Sequence, residues 1–139
     1  MAPGIDMIGL LIVTHCELGR EFLNAAEFIV GRIEAADAVS ITQTSESQDL
    51  HAQIEKKIAV LNQGDGVLIL TDMFGGTPSN LSLSFLKERQ VEVLTGVNLP
   101  MVIAMVQNRS KTNLNELSEI TKEAGRSGIS LTGKLLEAQ

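Results

Sequence analysis

The sequence predicts an α/β protein, an open doubly wound parallel sheet with helices on both faces. Two observations predict it. Apolar runs rich in Val, Ile and Leu alternate along the chain with amphipathic stretches, giving the order βαβαβαβα. That order places a parallel sheet between two layers of helices linked by right-handed crossovers. The apolar runs are also continuous, as expected of strands covered on both faces.

Residues 7–14 (MIGLLIVT) form the first such run and the first predicted strand. Residues 20–30 follow as a helix, with Phe22, Leu23, Ala26, Phe28 and Ile29 suited to its buried face and Gly31 as its stop. Residues 38–42 are a short second strand. Ser47 is placed to cap a second helix running to about Leu61, with Leu50, Ile54, Ile58 and Leu61 on one side. Residues 62–66 (NQGDG) break it. Residues 67–71 (VLILT) read as the third strand, and residues 72–78 as a loop. Pro78 suits the first turn of a helix reaching about Lys87. Residues 91–95 are the fourth strand, followed by helices at 101–106 and 115–124. Residues 129–136 (ISLTGKLL) fit a strand or a helix, with Thr132-Gly133 favouring the strand. Residues 1–6 read as a leader or an added segment, and residues 7–139 as a single domain.

Composition narrows the function. The formal net charge of −6 argues against nucleic acid, which needs a basic stripe, and against anionic lipid. The single cysteine, Cys16, excludes an intrachain disulfide and a cysteine-built zinc site. No basic region precedes the apolar stretch at 7–13, and that stretch is too short to span a bilayer. A cytoplasmic domain without membrane insertion is expected. With 44% hydrophobic residues but only four Phe and no Tyr or Trp, the core must be aliphatic.

Two loops carry the chemistry. In an open parallel sheet, ligands sit beyond the carboxyl ends of the strands, where strand order reverses. In the common order 2-1-3-4 this point lies between strands one and three. His15 opens the loop after the first of these strands and Asp72 the loop after the third. A carboxylate that accepts a hydrogen bond from Nδ1 fixes the imidazole tautomer, aims Nε2 outward and stabilises the charge developing during nucleophilic attack. The loop Phe74-Gly75-Gly76-Thr77-Pro78 adds glycine backbone N–H groups, a helix start and a hydroxyl suited to a phosphoryl group. Taken singly, each residue has a plainer explanation: His15 as a loop residue, Asp72 as a turn cap, Gly75-Gly76 as a turn. Their convergence on adjacent loops favours a site. His51 lies inside the second helix with no neighbouring ligand and reads as a solvated surface residue.

The blocks Ile12-Val13-Thr14-His15, Ala25-Ala26-Glu27, Leu70-Thr71-Asp72-Met73-Phe74-Gly75-Gly76-Thr77-Pro78 and Gly96-Val97-Asn98-Leu99-Pro100-Met101 resemble the enzyme IIA components of the mannose-family sugar phosphotransferase system. The resemblance runs from Met7 to about Ser130. It implies that His15 is phosphorylated through Nε2, that Asp72 orients its other nitrogen, and that Thr77 touches the phosphoryl group. The donor it implies is the phosphocarrier HPr and the acceptor a separate IIB protein, with no metal or organic cofactor. It also implies a homodimer in which a C-terminal strand, here 129–136, is exchanged between subunits. Leu18, Met73, Phe74, Leu99 and Met101 are expected to form a flat apolar rim for docking both partners. The sequence departs from the family at Cys16, where Gly is usual. Gly reaches positive φ more easily than Cys. Because the chain ends at Gln139 with no IIB segment, a stand-alone carrier is expected.

Other readings compete. A response-regulator-like receiver would be phosphorylated on Asp72, but it needs acidic residues after the first strand, where this chain has Thr14-His15-Cys16. A non-catalytic regulatory interaction module of the same fold is a third reading. The dihydroxyacetone-kinase-associated IIA type usually has a different block after the aspartate.

Overall fold

The computed structural model describes residues 7–73, 75–86 and 90–137. Four parallel strands, β1 (Gly9–His15), β2 (Ala36–Ile41), β3 (Val67–Thr71) and β4 (Val91–Thr95), form one sheet in the order β2-β1-β3-β4. The helices are α1 (Leu18–Val30), α2 (Ser47–Leu61), α3 (Thr77–Leu83), α4 (Leu99–Asn108), α5 (Leu114–Ser127) and α6 (Thr132–Glu137). The predicted fold class and strand order are therefore those observed.

Strand alternation divides the core in two. Leu11, Val13, Val67 and Ile69 face one side and pack with Leu50, Ile54, Ile58 and Leu61 of α2 and with Phe85. Leu10, Ile12, Leu68 and Leu70 face the other and pack with Leu23 and Ala26 of α1, Met101, Val102 and Met105 of α4, and Leu117 of α5. Because both faces are covered, β1 and β3 read as unbroken apolar runs. Gly19 lets α1 approach β1 closely: a methyl there would lie 2.9 Å from the Ile12 carbonyl oxygen.

Charged side chains tie down the β2 edge. Asp37 pairs at 2.5 Å with Arg20 of α1 and at 2.5 Å with Lys57 of α2, so one carboxylate bridges helices on opposite faces of the sheet. Charge along an edge strand also discourages pairing with another chain. Arg109, buried at the end of α4, donates to the carbonyls of Ala35 and Glu34 and holds the turn into β2, where Ala35 has φ +50.

Several expectations are corrected. Phe28 is 92% exposed and Ile29 is also exposed. The face of α1 that packs on the sheet runs through Gly19, Leu23 and Ala26 at i, i+4 and i+7, which turns Phe28 outward. Ser47 is not a cap: the N-cap position falls to Glu46, without a side-chain hydrogen bond, and Ser47 is the first helical residue. The helix after Pro78 ends at Leu83, and Lys87 lies outside the described residues. Helices α4 and α5 extend beyond 101–106 and 115–124 at both ends. The C-terminal segment contains helix α6 instead of a strand, none of it buried. The run Lys134-Leu135-Leu136-Glu137 favours a helix, and among the described residues no strand of the same chain pairs with it.

Candidate active site

Strands β1 and β3 are neighbours, with Val13 opposite Thr71. Their carboxyl ends therefore carry His15 and Asp72 into contact across the switch point. Asp72 Oδ2 lies 2.7 Å from His15 Nδ1 and also accepts the His15 backbone N–H at 2.9 Å. Asp72 Oδ1 accepts the Met73 N–H at 2.9 Å. Burial pushes the Asp72 carboxyl pKa up. Hydrogen bonds from the His15 backbone and ring, the charge of the imidazole and the Met73 N–H outweigh it and hold the pKa below its ordinary value. An ionised carboxylate only accepts, so in the neutral ring Nδ1 holds the proton and Nε2 keeps its lone pair. The His15 side chain is 46% exposed against 14% for Asp72. The ring is thus held through Nδ1 and left half open to solvent.

The turn after β1 is held at three points. The His15 N–H is bound to Asp72, the Cys16 N–H donates to the Ile41 carbonyl at 2.8 Å, and the Gly19 N–H donates to Thr14 Oγ1 at 2.8 Å. Cys16 adopts φ +50, so a cysteine does occupy the left-handed conformation that Gly takes more readily. Its thiol is exposed. The Thr14 hydroxyl escaped the sequence reading, because a Thr closing an apolar run looks like the end of a strand. A Thr five residues before a glycine in a helix start is the signal that was available.

On the opposite loop, Gly76 lies against the imidazole. A methyl at Gly76 would come within 3.1 Å of His15 Cε1 and 3.7 Å of Nε2. Gly75 has φ +85, Gly76 is the N-cap of α3, Pro78 lies in its first turn, and Thr77 is exposed. Phe74, named for phosphoryl binding and docking, lies outside the described residues. Of the other docking candidates, Leu18 and Met73 are exposed. Leu99 joins Leu18, Glu21, Phe22 and Ala25 around a shallow apolar cleft of about 220 Å³. Met101 is only 3% exposed and cannot reach a partner, which corrects that expectation. Its thioether packs on the backbone of Gly125, where a methyl would lie 2.5 Å from Met101 Cγ. Asn98 caps α4 by accepting the Met101 N–H at 3.0 Å and clasps α5 by donating to the Gly125 carbonyl at 2.9 Å. The Gly-Val-Asn-Leu-Pro-Met block is thus largely an α4–α5 joint. His51 is exposed on α2 but stacks on Phe85, ring centroids 4.6 Å apart. Among the described residues no three His, Cys, Asp or Glu side chains stand close enough to hold a metal ion, and no helix is long and apolar enough to cross a membrane.

A doubly wound parallel sheet with a carboxylate-oriented histidine at its switch point defines the class: an α/β protein whose half-exposed His15 imidazole is held by Asp72. Comparison with known proteins gives the family. The EIIA-man family model, described as PTS system fructose IIA component, matches residues 9–122, and the chain belongs to that family. The chain is similar to the mannose-specific EIIAB component of Escherichia coli K12, 28% identical over 88% of this chain and 38% of that protein. It therefore spans well under half the length of that relative. It is also similar to the sorbose-specific EIIA component of Lacticaseibacillus casei, 28% identical over 91% of this chain and 92% of that one. Among solved structures it resembles the phosphotransferase system component EIIA of Streptococcus agalactiae, with a TM-score of 0.85 and 25% identity, covering 92% of this chain and 99% of the other.

Proposed function

We propose that this protein is a phosphoryl carrier of the sugar phosphotransferase system, acting in the cytoplasm in sugar uptake or its regulation. His15 Nε2 accepts the phosphoryl group from phospho-HPr and passes it to a IIB component. The lone pair of Nε2 attacks phosphorus, an N–P bond forms, and the bond to the donor side chain breaks. Asp72 offsets the positive charge that develops on the ring. Transfer to IIB repeats the displacement with His15 as the leaving group. Gly75, Gly76 and Thr77 would border the phosphoryl group, and the exposed Leu18 and Met73 with the Leu99 cleft would meet both partners, since both must reach the same nitrogen.

The observation that carries this reading is the 2.7 Å contact between His15 Nδ1 and Asp72 Oδ2 beside an exposed ring. The receiver alternative fares worse on the same geometry, because both Asp72 oxygens are engaged by His15 and Met73 and, among the described residues, no cluster of three acidic, His or Cys side chains could hold a metal ion. Incubation with enzyme I, HPr and phosphoenolpyruvate should give an acid-labile phosphohistidine on His15 and none on His51. Label taken up at the wild-type level by His15→Ala would refute the assignment. Asp72→Asn should slow transfer at least about a hundredfold with the fold intact, because the amide neither fixes the tautomer nor offsets the charge. An unchanged rate would remove Asp72 from the mechanism.

We also infer a homodimer. Ile129, Leu131, Leu135 and Leu136 are all exposed in the single chain, which is unfavourable for so apolar a segment. Exchange of this segment onto a partner would cover it. Light scattering that finds a monomer at micromolar concentration would overturn the dimer.

A further inference from the structure

We propose that Thr14 is a positioning residue for phosphoryl transfer: its buried hydroxyl sets the turn that aims the His15 imidazole. The inference rests on the phosphoryl-carrier reading of His15. Successive residues of a strand point to opposite faces. The His15 ring lies on the α3 side, against Gly76. Thr14 shares a face with Leu10 and Ile12, the side covered by α1. Its side chain is fully buried there and accepts the Gly19 N–H at 2.8 Å, with the Cys16 carbonyl oxygen 3.5 Å away. Helix α1 has no side-chain cap from its own N-cap residue Glu17, so Thr14 supplies that hydrogen bond from the strand.

The hydroxyl therefore spans the whole connection from β1 to α1. Between its two ends lies Cys16 at φ +50, a conformation that an L-residue leaves readily unless something holds it. If the hydroxyl is lost, the Gly19 N–H is buried without an acceptor and the tie from strand to helix is gone. The turn can then relax toward negative φ, carrying the His15 carbonyl and swinging the ring. Asp72 grips the ring and the backbone N–H from the other side and the Ile41 carbonyl accepts the Cys16 N–H, but neither ties the Cys16–Leu18 connection to the start of α1. Of the docking rim only Leu18 lies at this connection, while Met73 and Leu99 are carried by other elements, so donor binding should suffer less than the chemical step.

The test compares Thr14→Val, which keeps shape but removes the hydroxyl, with Thr14→Ser, which keeps the hydroxyl. Thr14→Ala is the reserve variant if Val fails to fold, because it leaves room for solvent at the Gly19 N–H. Rates are taken per folded molecule, with phospho-HPr as donor. The side-chain ¹⁵N resonances of His15 are recorded in each variant. Thr14→Val should lower kcat roughly tenfold, leave KM for phospho-HPr within about twofold and shift the His15 ring resonances, while Thr14→Ser stays near wild type. A wild-type kcat per folded molecule in Val or Ala would overturn the proposal, as would loss of transfer in proportion to unfolding alone. If the wild-type protein takes no label from phospho-HPr, the carrier reading fails instead. The ring resonances then decide the positioning role: displaced in Thr14→Val they uphold it, unchanged they overturn it.

Discussion

Gly76→Ala isolates the packing of the loop against the His15 imidazole. Gly76 has φ −82 and ψ 171, a conformation open to alanine, so the backbone adds little strain. The added methyl is the perturbation. It would sit 3.1 Å from His15 Cε1, where carbon atoms prefer roughly 3.5–4.0 Å, so the ring must retreat by about half an ångström. The next contacts, Met73 Cγ at 3.4 Å and His15 Nε2 at 3.7 Å, place the methyl beside the nitrogen proposed to carry the phosphoryl group. The ring cannot retreat freely, because Nδ1 is bound to Asp72 at 2.7 Å. Stability should fall by only about 1 kcal/mol, since the ring is half exposed and alanine is a somewhat poorer N-cap than glycine. Transfer should suffer more, by roughly ten- to a hundredfold, as expected when a reacting atom is displaced and its approach narrowed. Single-turnover uptake from phospho-HPr, with a thermal melt of the same sample, measures both. A folded variant within twofold of the wild-type rate would refute the claim that Gly76 is needed for room at the imidazole.

Cys16→Gly should keep transfer and change stability by less than about 0.5 kcal/mol, because relief of the left-handed conformation is offset by the greater freedom of the unfolded chain; lost transfer would implicate the thiol. Arg109→Met should cost roughly 3 kcal/mol in a denaturant titration, since two carbonyls lose a charged donor in a buried site; a cost under about 1 kcal/mol would show that the turn into β2 holds without it. Burial raises the pKa of the Asp37 carboxyl, but hydrogen bonds from Lys57, the Ala38 N–H and Arg20 outweigh it, so both Asp37 and Asp72 lie below the ordinary carboxylate value when folded. The unfolded chain then binds more protons, so the stability these groups add is full above the ordinary value and is lost as pH falls through the folded values. Melting temperature should drop on acidification below about pH 4, and less steeply in Asp37→Asn; equal acid slopes would exclude Asp37 as a contributor.

Local pattern carried most of the architecture. Continuous apolar runs marked strands covered on both faces, and the spacing of Leu50, Ile54, Ile58 and Leu61 marked the buried side of α2, because burial leaves a periodic record in the chain. The loop block from Asp72 to Pro78 and His15 after the first strand pointed to one site, since strand order alone brings the ends of β1 and β3 together. Other features required long-range packing. Met101 looked available for docking until Gly125, 24 positions later, proved to receive its thioether. Phe28 looked like core because its spacing suits a helix, but the sheet takes the Gly19–Leu23–Ala26 side instead. Arg109 reaches back to Glu34 and Ala35 across 75 and 74 positions, a contact with no local signature. For residues 129–136, local propensity left strand and helix close, and among the described residues no strand pairs with the segment, so a helix forms from Thr132 to Glu137. By itself the sequence determined which segments fold and which residues are chemically able; the tertiary structure decided which of them meet, because a contact between distant positions depends on how every intervening element packs.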